Sequence, residues 1–286
     1  MQRPRYHQWH IEEREIRRHE ARRGRRHAFE QLDPARTALV VVDLVPFFVE
    51  ENPYCAGIVQ AVEQLASSVR SAGGTVAWVL PGPEEPTPAR IGLLGPEVAE
   101  RYARSGGTGP LPSRVWHELT VDPIDLVVEK TGPSAFFPGR CALAGLLTQR
   151  GIDTVLVTGT VANVCVESTV RDAATLGHRV VLVADAVAAV RDRDLNATIH
   201  TVYRSFGDVR PSHEITELLT AGHRATRVGS DPKQPAVAPG RAPGAPPLRP
   251  GARRRGAAPV DQLDEIRLPD GYRRAIAAWR RLGDHT

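Results

Sequence analysis

Three residues of this chain have types and positions that could do chemistry together: Cys165, Asp43 and Lys130. Cys165 lies in Gly159-Thr160-Val161-Ala162-Asn163-Val164-Cys165-Val166, directly after the apolar run Thr154-Val155-Leu156-Val157-Thr158 and ahead of a stretch, 167–176, that reads as helix. A thiol at a strand-to-helix turn sits near backbone N–H groups without intrahelical partners and near the positive end of a helix dipole. Both favour the thiolate, the reactive form of cysteine. A small cysteine packed behind the sheet would suit the same position, so this residue alone leaves both readings open. Asp43 ends Ala38-Leu39-Val40-Val41-Val42, and Lys130 ends Asp125-Leu126-Val127-Val128-Glu129. A carboxylate can take the thiol proton, an ammonium can hold carboxylate and thiolate in place, and the thiolate can attack a carbonyl carbon. Singly, Asp43 could be a strand-end cap and Lys130 an edge lysine; together they form a set that a cysteine nucleophile needs.

The elements that would position this set follow from the apolar runs and their punctuation. Short runs rich in Val, Leu and Ala read as strands buried on both faces of a parallel sheet. Strands are expected at 37–43, 75–80, 125–129, 154–158, 179–184 and 207–210. Helices are expected at 6–29, 56–72, near 95–104, and at 140–150, 163–176, 193–204 and 212–221. The alternation predicts a three-layer α-β-α domain with a mostly parallel, doubly wound, Rossmann-like sheet of six strands. In such sheets ligands bind at the C-terminal strand ends, where Asp43, Lys130 and Cys165 all fall. Residues 81–124 form a long Pro- and Gly-rich insertion, read as part of a pocket rim.

The ordered motifs resemble the isochorismatase-like cysteine hydrolases. They are Leu39-Val40-Val41-Val42-Asp43-Leu44, Val128-Glu129-Lys130 with Ser134-Ala135-Phe136-Phe137, and Gly151-Ile152-Asp153-Thr154-Val155-Leu156-Val157-Thr158-Gly159. Val164-Cys165-Val166-Glu167-Ser168-Thr169, Arg171-Asp172-Ala173-Ala174 and Val183-Ala184-Asp185-Ala186 follow. The resemblance spans about residues 36–220 and implies a catalytic triad of Cys165, Asp43 and Lys130. It also implies a cis peptide just ahead of the nucleophile, expected between Val161 and Ala162, that aims the Ala162 N–H with that of Cys165 at a developing oxyanion. Phe47, Phe48, Ser134, Phe136, Phe137 and Asn163 are candidate substrate contacts, with Arg140 and Arg191 weaker ones; the two phenylalanines after strand one could equally be packing. Nicotinamidases of this superfamily add an Asp and two His that hold a metal after the strand-1 aspartate. This chain has no His between His27 and His117, so catalysis without metal or cofactor is expected.

The leading expectation is hydrolysis of a non-peptide C–N bond, an amide or N-carbamoyl group of a small molecule, through a covalent acyl-enzyme. An isochorismatase-type vinyl-ether hydrolase is the alternative, although that chemistry needs no thiol. A catalytically retired scaffold domain is a third reading, opposed by the intact set of three.

Composition bounds the remainder. The 286 residues are 41% hydrophobic, enough for one α/β core with chain left over. Plentiful Arg, Ala, Gly and Pro suggest a GC-rich bacterial genome. Cys55, Cys141 and Cys165 are too few and too scattered for a disulfide framework, which fits a reducing cytoplasm. No signal-peptide h-region and no membrane-spanning run is read. The net charge of +4 is uneven. Residues 1–30, read as a basic helical arm, hold nine Arg against five Glu, whereas 31–229, read as the hydrolase domain, carry more acid than base. Interleaved Glu and Arg in the arm suit i,i+3 and i,i+4 pairs, so a solvated or homo-oligomer-contacting helix is expected there rather than a nucleic-acid arm. Residues 230–286 are read as a Pro/Gly/Arg-rich, largely disordered extension, with a weak helical pattern at 261–282.

Overall fold

A computed structural model describes residues 3–229; the Pro/Gly stretch 230–259 and the pattern at 261–282 lie outside the described residues. Six strands form one sheet: β1 (Thr37–Val42), β2 (Thr75–Pro81), β3 (Leu126–Lys130), β4 (Thr154–Thr160), β5 (Arg179–Ala188) and β6 (Asp208–Arg210). Their order is β3-β2-β1-β4-β5-β6, and every neighbouring pair is parallel. The connection from β1 runs to β2 on one side while β4 pairs on the other. The winding therefore reverses between β1 and β4, the topological switch point.

The helices are α1 (Glu13–Arg23), α2 (Pro46–Glu51), α3 (Pro53–Ser71), α4 (Pro88–Leu94), α5 (Pro96–Ala103), α6 (Leu143–Gln149), α7 (Glu167–Thr175), α8 (Asp192–Ser205) and α9 (Ser212–Gly229). All six residues of β1 are buried. Side chains alternate along a strand, so Ala38, Val40 and Val42 join the core under α6, α7 and α8. Leu39 and Val41 face the opposite core under α3 and α9. Two separate cores explain why the strand sequences are apolar throughout instead of alternating.

Three expected elements differ from those observed. The stretch after β1 is two helices, because Asn52 caps α3 by accepting from the Tyr54 N–H (3.0 Å) and Pro53 occupies its first turn. The insertion holds two short helices, α4 and α5, separated by Gly95 in a positive-φ conformation. The N-terminal helix spans Glu13–Arg23 alone. Ahead of it the chain runs without regular structure along α3, with the Arg5 N–H on the Pro53 carbonyl (3.0 Å).

That N-terminal segment is packed on the domain. The His7 ring stacks on Tyr54 at 3.8 Å, meets Asp192 Oδ1 at 2.6 Å and accepts from the Ala189 N–H at 3.0 Å. Ile16 is buried, and Trp9 and Ile11 pack against the same core. Glu15 is buried between Arg18 and Arg204, both at 3.2 Å. Burying an apolar side chain of this size stabilises by about 1.5–3 kcal/mol, so the segment supports the fold. Ile16→Ala is expected to cost about 2 kcal/mol, and deleting residues 1–23 to lower Tm well beyond that variant. An unchanged thermal melt for the deletion would show that the segment adds nothing to the fold.

Candidate active site

Asp43 follows β1 with φ 58°, a left-handed conformation that non-glycine residues seldom adopt but Asp tolerates better than most. Its N–H donates to the Val79 carbonyl (2.8 Å), and its own carbonyl accepts from Val45 (3.0 Å). This turn holds the carboxylate, 1% exposed, at the switch point. Lys130 ends β3 and is also buried. Its Nζ donates to Asp43 Oδ2 at 2.9 Å, to the Gly132 carbonyl at 3.2 Å and to Cys165 Sγ at 3.4 Å. An ammonium has three donors, and all three are used. Asp43 Oδ1 is buried without a hydrogen bond. The Cys165 thiol lies close enough to interact with this carboxylate, short of hydrogen-bond alignment.

Cys165 sits in a single π turn, Ala162–Val166, that joins β4 to α7. Such turns recur at functional sites. The pairing of β4 with β5 shifts register between Val157 and Gly159, and Gly159 has φ 104°. A Cβ at Gly159 would fall on the Val42 carbonyl oxygen, so only glycine lets the β1 and β4 backbones approach this closely beside the site.

The cis peptide is one residue earlier than the sequence suggested. It joins Thr160 to Val161, not Val161 to Ala162. β4 continues through Gly159 to Thr160, so the chain reverses at Val161, and Ala162 already begins the π turn with its side chain in the core. Val161 faces the cavity and Ala162 does not.

Burial sets the protonation states. It pushes the Cys165 thiol up to about 12, with the Asp43 charge adding to the effect and Lys130 opposing it. It also raises Asp43, again against Lys130. For Lys130 burial alone favours the neutral amine, but Asp43 and Cys165 outweigh it and hold the ammonium above the usual lysine range. Burial and the Asp43 charge thus oppose, and Lys130 supports, the thiolate that the strand-to-helix turn favours.

These three residues floor a cavity of about 360 Å³, within the range for small-molecule sites. Of the expected contacts, Phe48 lines it. Phe47 stands behind, edge-on to Phe48 (4.9 Å) and Tyr102 (5.7 Å). Ser134 and Phe136 are buried outside the cavity. The Ser134 hydroxyl accepts from the Phe136 N–H (3.0 Å), and Phe136 packs near His178. Phe137, 51% exposed, and Asn163, also exposed, point elsewhere. After Lys130 the chain turns so that Thr131, Gly132 and Pro133 meet the cavity instead of Ser134, Phe136 and Phe137, and in the π turn Val164 and Cys165 do so instead of Asn163. Arg140 pairs with Glu84 at the rim, and Arg191 with Asp194. The residues not anticipated come from the insertion, among them Glu85, Arg90, Leu94 and Ser105. No spacing pattern marks them beforehand. Among the described residues no group of three His, Cys, Asp or Glu side chains is placed to hold a metal ion.

Fold and site together describe a doubly wound α/β enzyme with its polar centre at the switch point. Residues 37–214 match the isochorismatase domain, and the chain belongs to the isochorismatase family of hydrolases. An uncharacterized isochorismatase family protein of Bacillus subtilis, YwoC, is 30% identical over 192 residues, covering 66% of this chain and 96% of that protein. The ureidoacrylate amidohydrolase RutB of Variovorax paradoxus is 28% identical over 62% of this chain and 78% of its own. Among solved structures, a cysteine hydrolase from Pseudomonas syringae pv. phaseolicola superposes with TM-score 0.60 at 27% identity, over 68% of this chain and 97% of that one. N-carbamoylsarcosine amidase from Thermoplasma acidophilum does so with TM-score 0.52 at 30% identity, over 62% and 96%. Among the described residues no helix is long and apolar enough to cross a membrane.

The electrostatics yield a test on the protein alone. Asp43→Asn removes the negative charge that helps to raise the thiol, so alkylation of Cys165 by iodoacetamide at neutral pH is expected to accelerate. Cys55, whose buried thiol donates to Thr160 Oγ1 at 3.2 Å, serves as internal control. Unchanged labelling of Cys165 would mean that Asp43 does not govern this thiol, and slower labelling that its role as proton acceptor outweighs its charge.

Proposed function

We propose that the protein hydrolyses a non-peptide C–N bond, an amide or N-carbamoyl group of a small molecule, through an acyl-enzyme on Cys165. The observation that carries this reading is the meeting of three residues from distant parts of the chain. The Lys130 ammonium lies 2.9 Å from the Asp43 carboxylate and 3.4 Å from Cys165 Sγ, all three on the floor of one cavity. Two relatives are named for such reactions, one a ureidoacrylate amidohydrolase and one an N-carbamoylsarcosine amidase.

Asp43 takes the thiol proton as Sγ attacks the carbonyl carbon, and the Lys130 ammonium steadies the growing negative charge on sulfur. The carbonyl π electrons move to oxygen. Val161 and Cys165, both at the cavity floor, are the residues whose backbone N–H groups would hold that oxyanion, in place of Ala162. As the tetrahedral intermediate collapses, protonated Asp43 returns its proton to the departing nitrogen and the C–N bond breaks. Water then enters and Asp43 accepts its proton. The thioester opens to release the acid, and the proton returns to sulfur. A resting thiol suits this sequence, because proton removal is coupled to attack. Vinyl-ether cleavage would leave the thiol without a task. Three free cysteines suit a reducing compartment such as the cytoplasm.

Cys165→Ala is expected to abolish ammonia release from carboxamides and N-carbamoyl acids while leaving the thermal melt unchanged. If the variant keeps more than a few per cent of the rate, Cys165 is not the nucleophile. Asp43 must be ionised to accept the proton, so kcat/KM is expected to fall as pH falls through its pKa. Because burial raises that pKa, the acid limb should lie above the ordinary aspartate range. A rate that does not fall on the acid side as a single carboxyl group is protonated would exclude Asp43 as the base.

A further inference from the structure

The cavity wall supplied by the insertion carries two exposed charges, Glu85 and Arg90, that have no ion pair among the described residues. Thr87, Arg90 and Leu94 recur at three- and four-residue spacing and so share one face of α4, the face that lines the cavity. The Thr87 hydroxyl caps the helix by accepting from the Arg90 N–H at 3.2 Å, which fixes the arginine's backbone in the first turn. Among the described residues the Arg90 guanidinium has no ion pair and no hydrogen bond, and neither has the Glu85 carboxylate. The other charged groups of the cavity are engaged: Lys130 with Asp43, and Glu84 with Arg140. Arg90 and Glu85 line one cavity without pairing with each other.

We infer that the substrate is a monoanion whose single carboxylate is held by Arg90, and that Glu85 rejects a second negative charge. This rests on the amide or N-carbamoyl reading of the same cavity. A guanidinium offers a planar fork of donors that matches a carboxylate. Among the described residues it is the one cation on the cavity wall without an ion pair, so an anionic end of the substrate gains there what it gains from no other described side chain of the wall. The Asp43–Lys130 pair is internally compensated and adds little net attraction. Arg90 offers a partner for one carboxylate, and Glu85 on the same wall repels a second; specificity comes from the repulsive group as much as from the attractive one.

Binding to Cys165→Ser, measured by calorimetry, separates this inference from the chemistry. Three probes share a urea group: 3-ureidopropanoate with one negative charge, n-propylurea with none, and N-carbamoyl-L-aspartate with two. The monoanion is expected to bind tightest. Arg90→Ala should weaken it by about tenfold or more and leave propylurea unaffected, with Arg90→Lys intermediate. Glu85→Gln should tighten the dianion and not the neutral probe. The inference is overturned if the monoanion fails to bind at millimolar concentration, if propylurea binds as well, or if Arg90→Ala weakens both equally, which would make Arg90 merely structural. Charge-selective binding without ammonia release by the unmodified protein would instead count against the amidohydrolase reading and leave the charge selection standing.

Discussion

The buried ion pair of Asp43 and Lys130 is the constraint from which the rest of the site follows. β1 and β3 are not neighbours; β2 lies between them. With strands about 4.8 Å apart, the two backbones are separated by two strand spacings, a gap that the long lysine stem crosses and a shorter cation could not. Either charge buried alone would be driven to its neutral form. Each partner keeps the other ionised, and the pair pins the C-terminal end of the β3 edge strand across β2 to the centre of the sheet. Cys165 is then the third contact of an ammonium that is already fixed.

The same surroundings act on the thiol. The same desolvation that makes the ion pair strong raises the thiol. A nucleophile held in its neutral form does not react with every electrophile that enters the pocket. In the proposed mechanism it is activated where a substrate places its carbonyl carbon against sulfur while Asp43 is free to accept the proton. The unpartnered Oδ1 of Asp43 is the atom available for that purpose.

The polar centre was legible in the sequence because each of its members ends or follows a run of β-branched and aliphatic residues, and such runs mark buried parallel strands. The two-sided burial of β1 and the order of strand and helix were readable for the same reason. The turn before Cys165 was misplaced by one residue, because Gly159 reads as the end of a strand when it is a close-approach position within one. α2 was missed although Asn52-Pro53 is a cap and first-turn signal, since the apolar pattern of Phe47, Phe48 and Val49 runs on towards α3 without an obvious break. That the insertion 81–124 forms a rim of the pocket was legible, but which of its residues face the cavity was not. α4 buries no residue, so it has no apolar stripe to betray its period, and Arg90 looks like any solvated arginine. Aromatic residues proved a poor guide to substrate contact: of four candidates only Phe48 reaches the cavity, and Phe136 belongs to the core.

The contrast between the two sides of the cavity has an evolutionary consequence. The floor belongs to the sheet, where Asp43, Lys130 and the glycine at 159 are held by interactions that most exchanges would disrupt. The outer wall belongs to a seven-residue helix that contributes no side chain to either core. Replacements along α4 therefore carry almost no folding penalty. With this architecture the cavity wall can be rewritten through one short surface helix while the polar centre held by the sheet stays as it is.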